Sequence, residues 1–352
     1  MTAARAVSVR DREHVLAHTE GLWDDLRGER IFMTGGTGFV GTWLIEAFVA
    51  ANAAHGLGAT AVLLSRDPRR FAERAPHLAG DRAVKLVAGD VADFTPPGER
   101  FGFVVHASTE RYDGDAAARL RSLERDAAAT RRVLDLARTG GTRRLLFTSS
   151  GAVYGNQPPG LSHVSETYAG APDPADPRTA YGRSKRSSEL ACAANARAFG
   201  FDAVIARLFA FVGPHLPLDA GFAVGDFLAD VLAGRTIRVG GDGTAVRSYL
   251  YGADLAIWLW TLLLRGAAGR AYNVGSAEAL SVRALAELIA ELVPGTAIEV
   301  EHRAVSGAAG ARYVPSVARA ESELGLRVRV PLPDALRRTY DFHRGRAAEG
   351  AR

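Results

Sequence analysis

The run Ile31-Phe-Met-Thr-Gly-Gly-Thr-Gly-Phe-Val-Gly41 constrains this chain more than any other stretch. Three apolar residues, Ile31 to Met33, lead into a turn holding Gly35, Gly36, Thr37 and Gly38. Phe39, Val40, Leu44, Ile45, Phe48 and Val49 then repeat at helical spacing, with Gly41 inside the first turn. Strand, tight turn and helix N-terminus thus follow one another directly. Glycines let a backbone approach a ligand closely, and the first N–H groups of a helix have no partner of their own. Together they receive a pyrophosphate. A glycine-rich turn without a ligand is the plain alternative, and the strand-turn-helix context weighs against it.

At 352 residues the chain has room for one large domain and a smaller partner. Its 47% apolar and 23% charged residues are those of an ordinary globular protein. The 43 basic and 39 acidic residues leave +4, and the basic ones are dispersed. That balance argues against nucleic acid and suits an anionic small substrate. One cysteine, Cys192, excludes an intrachain disulfide and a cysteine-rich metal site, and its helical context reads as a core thiol. Nine histidines without ligand spacing make no case for a metal. With no membrane-length apolar run and no secretory h-region, the expectation is a cytoplasmic protein away from membranes.

Residues 1–28 predict a helical extension, with Leu16, Leu22, Trp23 and Leu26 on one face of a helix around 11–27. From residue 30 apolar strands alternate with helices. Strands are expected at 59–65, 83–90, 101–107, 144–150 and 203–208, with helices near 115–139 and 180–199. This rhythm predicts an α/β fold, a Rossmann-like doubly wound parallel sheet over 29–208. Residues 209–345 read mainly as a smaller α/β substrate domain, with segments near 240–274 returning to the sheet. A last helix is expected near 333–340, then a fraying tail over 346–352.

Tyr181-Gly-Arg-Ser-Lys185 lies one helix after the strand that ends in Ser150. Residues four apart share a helix face. An ammonium beside a phenol favours the phenolate, so Lys185 is expected to lower the Tyr181 pKa. The Ser150 hydroxyl would hold the same substrate oxygen, which suits removal of an alcohol proton as hydride leaves the carbon.

These motifs, with Gly89-Asp90-Val91, Val105-His106-Ala107, Ser149-Ser-Gly-Ala-Val-Tyr-Gly155, Val212-Gly-Pro214, Gly240-Gly-Asp-Gly-Thr-Ala-Val-Arg247 and Tyr272-Asn-Val-Gly275, give a resemblance over about 30–340. The chain resembles the extended short-chain dehydrogenase/reductases of the nucleotide-sugar epimerase/dehydratase group. The resemblance implies bound NAD or NADP, a nucleotide-diphosphate sugar as substrate, and a homodimer built from helices 115–139 and 180–199. It implies catalytic roles for Ser150, Tyr181 and Lys185. Cofactor contacts are implied at Gly35, Gly36, Thr37, Gly38, Phe39, Val40, Gly41, Ser65, Arg66, Asp90, Val91, His106, Ala107, Ser108, Tyr181 and Lys185. Substrate contacts are implied at Ser150, Gly151, Ala152, Ala210, Arg247 and Arg312, with Arg303 in the same region.

Departures from the pattern narrow the chemistry. Dehydrating relatives carry an Asp-Glu pair where this chain has Gly151-Ala152, and decarboxylating relatives place a glutamate at the second position. His163 and Glu166, in the 156–178 insert, are the nearest sequence substitutes. The usual asparagines are Ala210 and Asp126, and the usual Arg-Asp pair is Arg247-Ser248. At the end of the second strand Ser65-Arg66 suits a 2′-phosphate, which tips the expectation toward NADP. Asp67 shifted inward toward the ribose is the NAD alternative.

The expected reaction is 4-epimerisation through a transient 4-keto sugar. NADPH-dependent reduction of a 4-keto-6-deoxy sugar is the alternative, with 4,6-dehydration behind it. A noncatalytic nucleotide-binding or redox-sensing protein is the reading from another class, and the intact Ser150, Tyr181 and Lys185 argue against it.

Overall fold

A computed structural model describes residues 6–110, 112, 114–302 and 310–350. Arg303 and the last two residues of the tail therefore lie outside the described residues.

Seven parallel strands form the central sheet. In chain order the first six are β1 (Arg30–Thr34), β2 (Thr60–Ser65), β3 (Val84–Ala88), β4 (Phe103–His106), β5 (Arg144–Ser150) and β6 (Asp202–Leu208). The seventh, Ala271–Val274, comes from late in the chain and pairs with β6. Across the sheet the order is Ala271–Val274, β6, β5, β4, β1, β2, β3. The order reverses between β1 and β4, and a crevice opens there at the carboxyl ends of the strands.

Alternation along the strands sorts side chains to the two faces. Ile31, Met33, Leu63, Val105, Leu146 and Val204 join one core cluster, while Phe32, Val62, Val104, Leu145, Phe147 and Ile205 join the other. The first face is covered by α2 (Phe39–His55) and by helix Gly252–Arg265. Trp258 and Trp260 of that last helix are fully buried, as its all-round apolar sequence requires. The second face is covered by α5 (Ala116–Thr139) and α6 (Ala180–Phe199). Cys192 of α6 lies within it, and burial pushes its thiol up to about 12. Between β2 and β3 run the short α3 (Pro68–Arg74) and α4 (Pro76–Ala79).

The N-terminal segment differs from the single long helix expected. Ser8 caps α1 (Val9–Ala17), and a separate 3₁₀ turn follows at Trp23–Leu26. Trp23 packs 5.2 Å from Trp260, and buried Asp11 accepts bonds from Tyr251 Oη at 3.0 Å and from Arg338 Nη1 at 2.7 Å. Arg338 belongs to the terminal helix Leu332–Gly350, which runs on through most of the expected tail.

Past β6 the strands are short. Val246–Arg247 pairs antiparallel with Leu280–Ser281 and parallel with Arg312–Tyr313, which sets Arg247 opposite Tyr313. Ile237–Val239 pairs with Ile298–Val300, flanked by helices Ala223–Leu232 and Val282–Ala290.

Candidate active site

The glycine-rich turn stands at the crevice between β1 and β4. Gly35 has φ +70°, and a Cβ there would lie 2.4 Å from the Ala107 carbonyl carbon. A Cβ on Gly41 would lie 2.3 Å from the Gly35 oxygen, so α2 starts directly against the turn. Gly38 is different: a Cβ would meet only the Gly35 oxygen, at 3.4 Å. The chain's own packing leaves that position open, beside the uncapped first turn of α2. An empty approach to the amides of Phe39, Val40 and Gly41 is what a bound pyrophosphate requires. Thr37 turns its carbonyl to the Arg74 guanidinium, which comes from α3.

His106 is neutral wiring beside this cradle. Its Nδ1 meets Thr34 Oγ1 at 2.8 Å and its Nε2 meets Thr130 Oγ1 at 3.3 Å, and Thr130 continues to Ser188 Oγ at 2.9 Å. Burial, with the nearby Lys185 charge, lowers its pKa to about 3. Ser108 Oγ donates to Thr34 Oγ1 at 3.1 Å, so the exits of β4 and β1 are tied together.

At the end of β2 the side chains of Ser65 and Asp67 cap their own backbone. Ser65 Oγ accepts the Asp67 amide at 3.2 Å, and the Asp67 carboxylate accepts the Arg70 amide at 3.0 Å. Asp67 is thus the N-cap of α3. Arg66 stands 68% exposed, 3.9 Å from Glu110. Asp90, after β3, accepts Arg125 Nη2 at 2.5 Å and the Ala92 amide at 2.9 Å. Burial works against it, but those partners hold its carboxyl below the usual range. Val91 packs half-buried on the α5–α6 side of the sheet.

Ser150 ends β5, and Tyr181 and Lys185 face it from α6. The helix comes this close because Gly182 packs on the 3₁₀ turn Gly151–Tyr154, where a Cβ would lie 2.3 Å from the Ala152 oxygen. Lys185 Nζ donates to Thr148 O at 3.0 Å and stands 6.0 Å from the Tyr181 ring centroid. Burial lowers the Lys185 pKa to about 8, with Asp126 opposing. The expected depression at Tyr181 does not occur. Burial raises its pKa, and only the Ser150 hydroxyl works in the other direction. Desolvation of the phenol is the larger effect, and the Asp126 charge adds to it.

Gly151 faces a filled space. A Cβ there would lie 2.7 Å from two Phe209 ring carbons, Cε1 and Cζ, and from Tyr313 Oη. Tyr313 Oη in turn stands 3.4 Å from Ser150 Oγ and donates to Leu208 O at 3.3 Å. Ala152 is half-buried, and its amide donates to Ser150 Oγ at 3.1 Å. The three-stranded sheet sets Arg247 beside Tyr313 on one face and Arg312 beside Val246 on the other, with Arg247 Nη1 bonded to the carbonyls of Val246 and Ala311 at 2.9 Å. Ala210 presents its half-buried methyl and bonds Leu250 N through its carbonyl.

Both insert candidates bond to backbone outside the insert. His163 Nε2 meets Ala277 O at 2.9 Å, and Glu166 accepts the Asn273 amide at 2.8 Å. Tyr154 donates to Asn273 Oδ1 at 2.7 Å and accepts from Arg207 at 2.9 Å, a structural role. Among the described residues no group of three or more His, Cys, Asp or Glu side chains is placed to hold a metal, and no helix is long and apolar enough to cross a membrane.

Sequence reasoning missed three contributors. Tyr313 reaches Ser150 only because its strand pairs with Val246–Arg247. Tyr112 packs 5.4 Å from the Tyr181 ring and donates to Asp126 Oδ2 at 2.9 Å. Asp126, which looked like a lost asparagine, also accepts from Thr109 Oγ1 and from the Glu110 amide. Its place in the long helix one turn before Thr130 was the available signal.

Residues 31–275 match the family model described as the NAD dependent epimerase/dehydratase family. The chain belongs to this family. UDP-glucuronic acid decarboxylase 1 of Arabidopsis thaliana is 28% identical over 320 residues, covering 90% of this chain and 70% of that protein. Among solved structures, a dTDP-glucose 4,6-dehydratase from Streptomyces venezuelae with NAD and TYD bound superposes with a TM-score of 0.76. It is 25% identical and covers 90% of this chain and 97% of its own. The UDP-glucose 4-epimerase of Thermus thermophilus in complex with NAD gives 0.72 at 25% identity, covering 90% and 99%. This epimerase/dehydratase family member is thus an enzyme of an NAD-dependent, nucleotide-sugar-modifying family, with its Ser-Tyr-Lys set at the β1/β4 crevice.

Proposed function

We propose that the chain is a nucleotide-diphosphate-sugar 4-epimerase acting through a transient 4-keto sugar. The observation that carries this reading is Gly151. Phe209 and Tyr313 fill the space where a dehydrating relative would hold an acid, so a plain Ser150-Tyr181-Lys185 set remains. The turn from Gly35 to Gly41 would hold the cofactor pyrophosphate, Asp90 and Val91 the adenine, and Lys185 the nicotinamide ribose. The open Cβ direction at Gly38 supports that fit. When bound, NAD(P) supplies reversible hydride acceptance at C4.

Tyr181 takes the proton of the 4-hydroxyl, and Ser150 holds that oxygen by a hydrogen bond. The Lys185 ammonium stabilises the phenolate, and its raised neighbour then returns the proton once the sugar has turned its other face. Arg247 would meet the diphosphate, since a guanidinium presents several donors to an anion, while Arg312 lies on the other face of the small sheet. NADP ranks ahead of NAD because Arg66 is exposed and Asp67 is committed to its helix. Helices α5 and α6, with Leu120 and Leu190 exposed, would form a homodimer face.

Two other outcomes use the same residues. Arg66 favours single reduction of a 4-keto-6-deoxy sugar by NADPH. The similarity to UDP-glucuronic acid decarboxylases favours decarboxylation, because a uronate oxidised at C4 is a β-keto acid that can lose CO₂ even with Ala152 in place of a glutamate, after which the enolate takes a proton and C4 takes the hydride back. Incubating the protein with UDP-, dTDP-, CDP- and GDP-hexoses and UDP-glucuronic acid, with each cofactor, separates these. A C4 epimer without net cofactor turnover supports the proposal. Stoichiometric NADPH consumption, or release of CO₂, replaces it with the corresponding alternative.

A further inference from the structure

Four charged side chains from four different elements meet at the adenosine end of the cradle. Arg66 follows β2, Asp90 follows β3, Glu110 follows β4, and Arg125 projects from α5. They form one line of contacts: Arg66 to Glu110 at 3.9 Å, Glu110 to Arg125 at 3.2 Å, and Arg125 to Asp90 at 2.5 Å. The two arginines and two carboxylates cancel. Glu110 joins the two arginines and is the least exposed of the four side chains, at 19% against 25% for Asp90, 42% for Arg125 and 68% for Arg66. Its backbone is pinned as well, because its amide donates to Asp126 Oδ1 at 2.9 Å.

We propose that Glu110 is a specificity-determining residue that restrains the cradle's preference for NADP by holding Arg66 and opposing a 2′-phosphate. This rests on the reading of the glycine-rich turn as an NAD(P) site. Arg66 is the cation at the end of β2, where the 2′ substituent of the adenosine ribose arrives. A 2′-phosphate that reaches Arg66 also comes within a few ångströms of the Glu110 carboxylate and meets like charge. A free 2′-hydroxyl carries no such penalty and can donate to a carboxylate. Arg125 keeps Asp90 when Glu110 is neutralised, so the loop retains an ion pair.

The test measures dissociation constants for NADPH and NADH on the full chain by cofactor fluorescence, in wild type, Glu110→Gln, Arg66→Ala and the double variant. The ratio of the two affinities should move toward NADPH by roughly two- to fivefold in Glu110→Gln, the scale of an exposed ion pair. It should move the other way in Arg66→Ala, and the double variant should lose the gain. Glu110→Asp, which keeps the charge, should keep the wild-type ratio. An unchanged ratio in Glu110→Gln overturns the proposal, as does equal weakening of both cofactors. If wild type binds neither cofactor, the NAD(P) reading itself falls, and this proposal with it.

Discussion

The Cβ that Gly151 lacks would stand 2.7 Å from the hydroxyl oxygen of Tyr313, a residue 162 positions later in the chain. Glycine here is a packing requirement, since the space is already taken by a phenol and the Phe209 ring.

Gly151→Asp should therefore fail to install elimination chemistry and should destabilise the fold. Forcing atoms into a filled site costs about 1–3 kcal/mol. Denaturant unfolding of the variant checks the stability, and a 4,6-dehydration assay checks the chemistry. A stable variant that dehydrates dTDP-glucose would overturn the assignment.

Lys185 should carry a stability–activity conflict. Its pKa is lowered from 10.5 to about 8, so between those values the unfolded chain binds more protons and stability rises with pH. Below pH 8 the full cost of the buried ammonium is present. Lys185→Met should raise unfolding stability at pH 7 by roughly 1–3 kcal/mol while lowering kcat by about 100-fold or more. Chemical denaturation at pH 7 together with steady-state kinetics reads both, and a less stable variant at pH 7 refutes the first half.

Glu46 should account for part of the acid sensitivity. Burial opposes its ionisation, yet the His215 imidazole 3.9 Å away and bonds from His77 and the Val7 amide bring its pKa to about 2 from 4.5. The stability it contributes is complete above pH 4.5 and is lost as the pH falls toward 2. In Glu46→Gln the slope of stability against pH over that window should flatten. Parallel slopes for variant and wild type are the contrary outcome.

Arg207 grips the buried Glu189 carboxylate with two bonds, at 2.9 and 2.7 Å, beneath the strand that carries Ser149 and Ser150. Arg207→Ala leaves that charge alone and should cost about 3–5 kcal/mol. Arg207→Met combined with Glu189→Leu should recover most of the loss in thermal unfolding. No recovery in the double variant would mean that packing, and not the stranded charge, sets the cost.

The exposed Leu190 offers a direct test of the proposed homodimer. Leu190→Arg should convert a dimer to a monomer by light scattering, whereas an unchanged mass places any contact elsewhere.

The cradle and the strands β1 to β6 were legible because their signals are local. Ile31 and Met33 alternate with Phe32, and Tyr181 and Lys185 are one helical turn apart. The rest depended on what distant segments bring. Nothing around Arg312-Tyr313 marks a strand, because two-residue strands are defined by their partners. The Tyr181 pKa was misjudged for a related reason: spacing places the lysine but says nothing of how much water both groups lose. Asp67 stood as the alternative ribose contact, and its role as the cap of α3 appears only with that helix in place.

The strand Ala271–Val274 closes one edge of the sheet, and helix Gly252–Arg265 roofs one face of it. A ribosome must therefore deliver more than 270 residues before β6 has its outer neighbour. Until then the nascent chain exposes an open strand edge and an unroofed apolar face, the two features that recruit chaperones or aggregate. The cofactor half is thus committed to waiting for its own downstream segment, and a ligand-binding fragment cut at residue 208 should be insoluble when expressed alone.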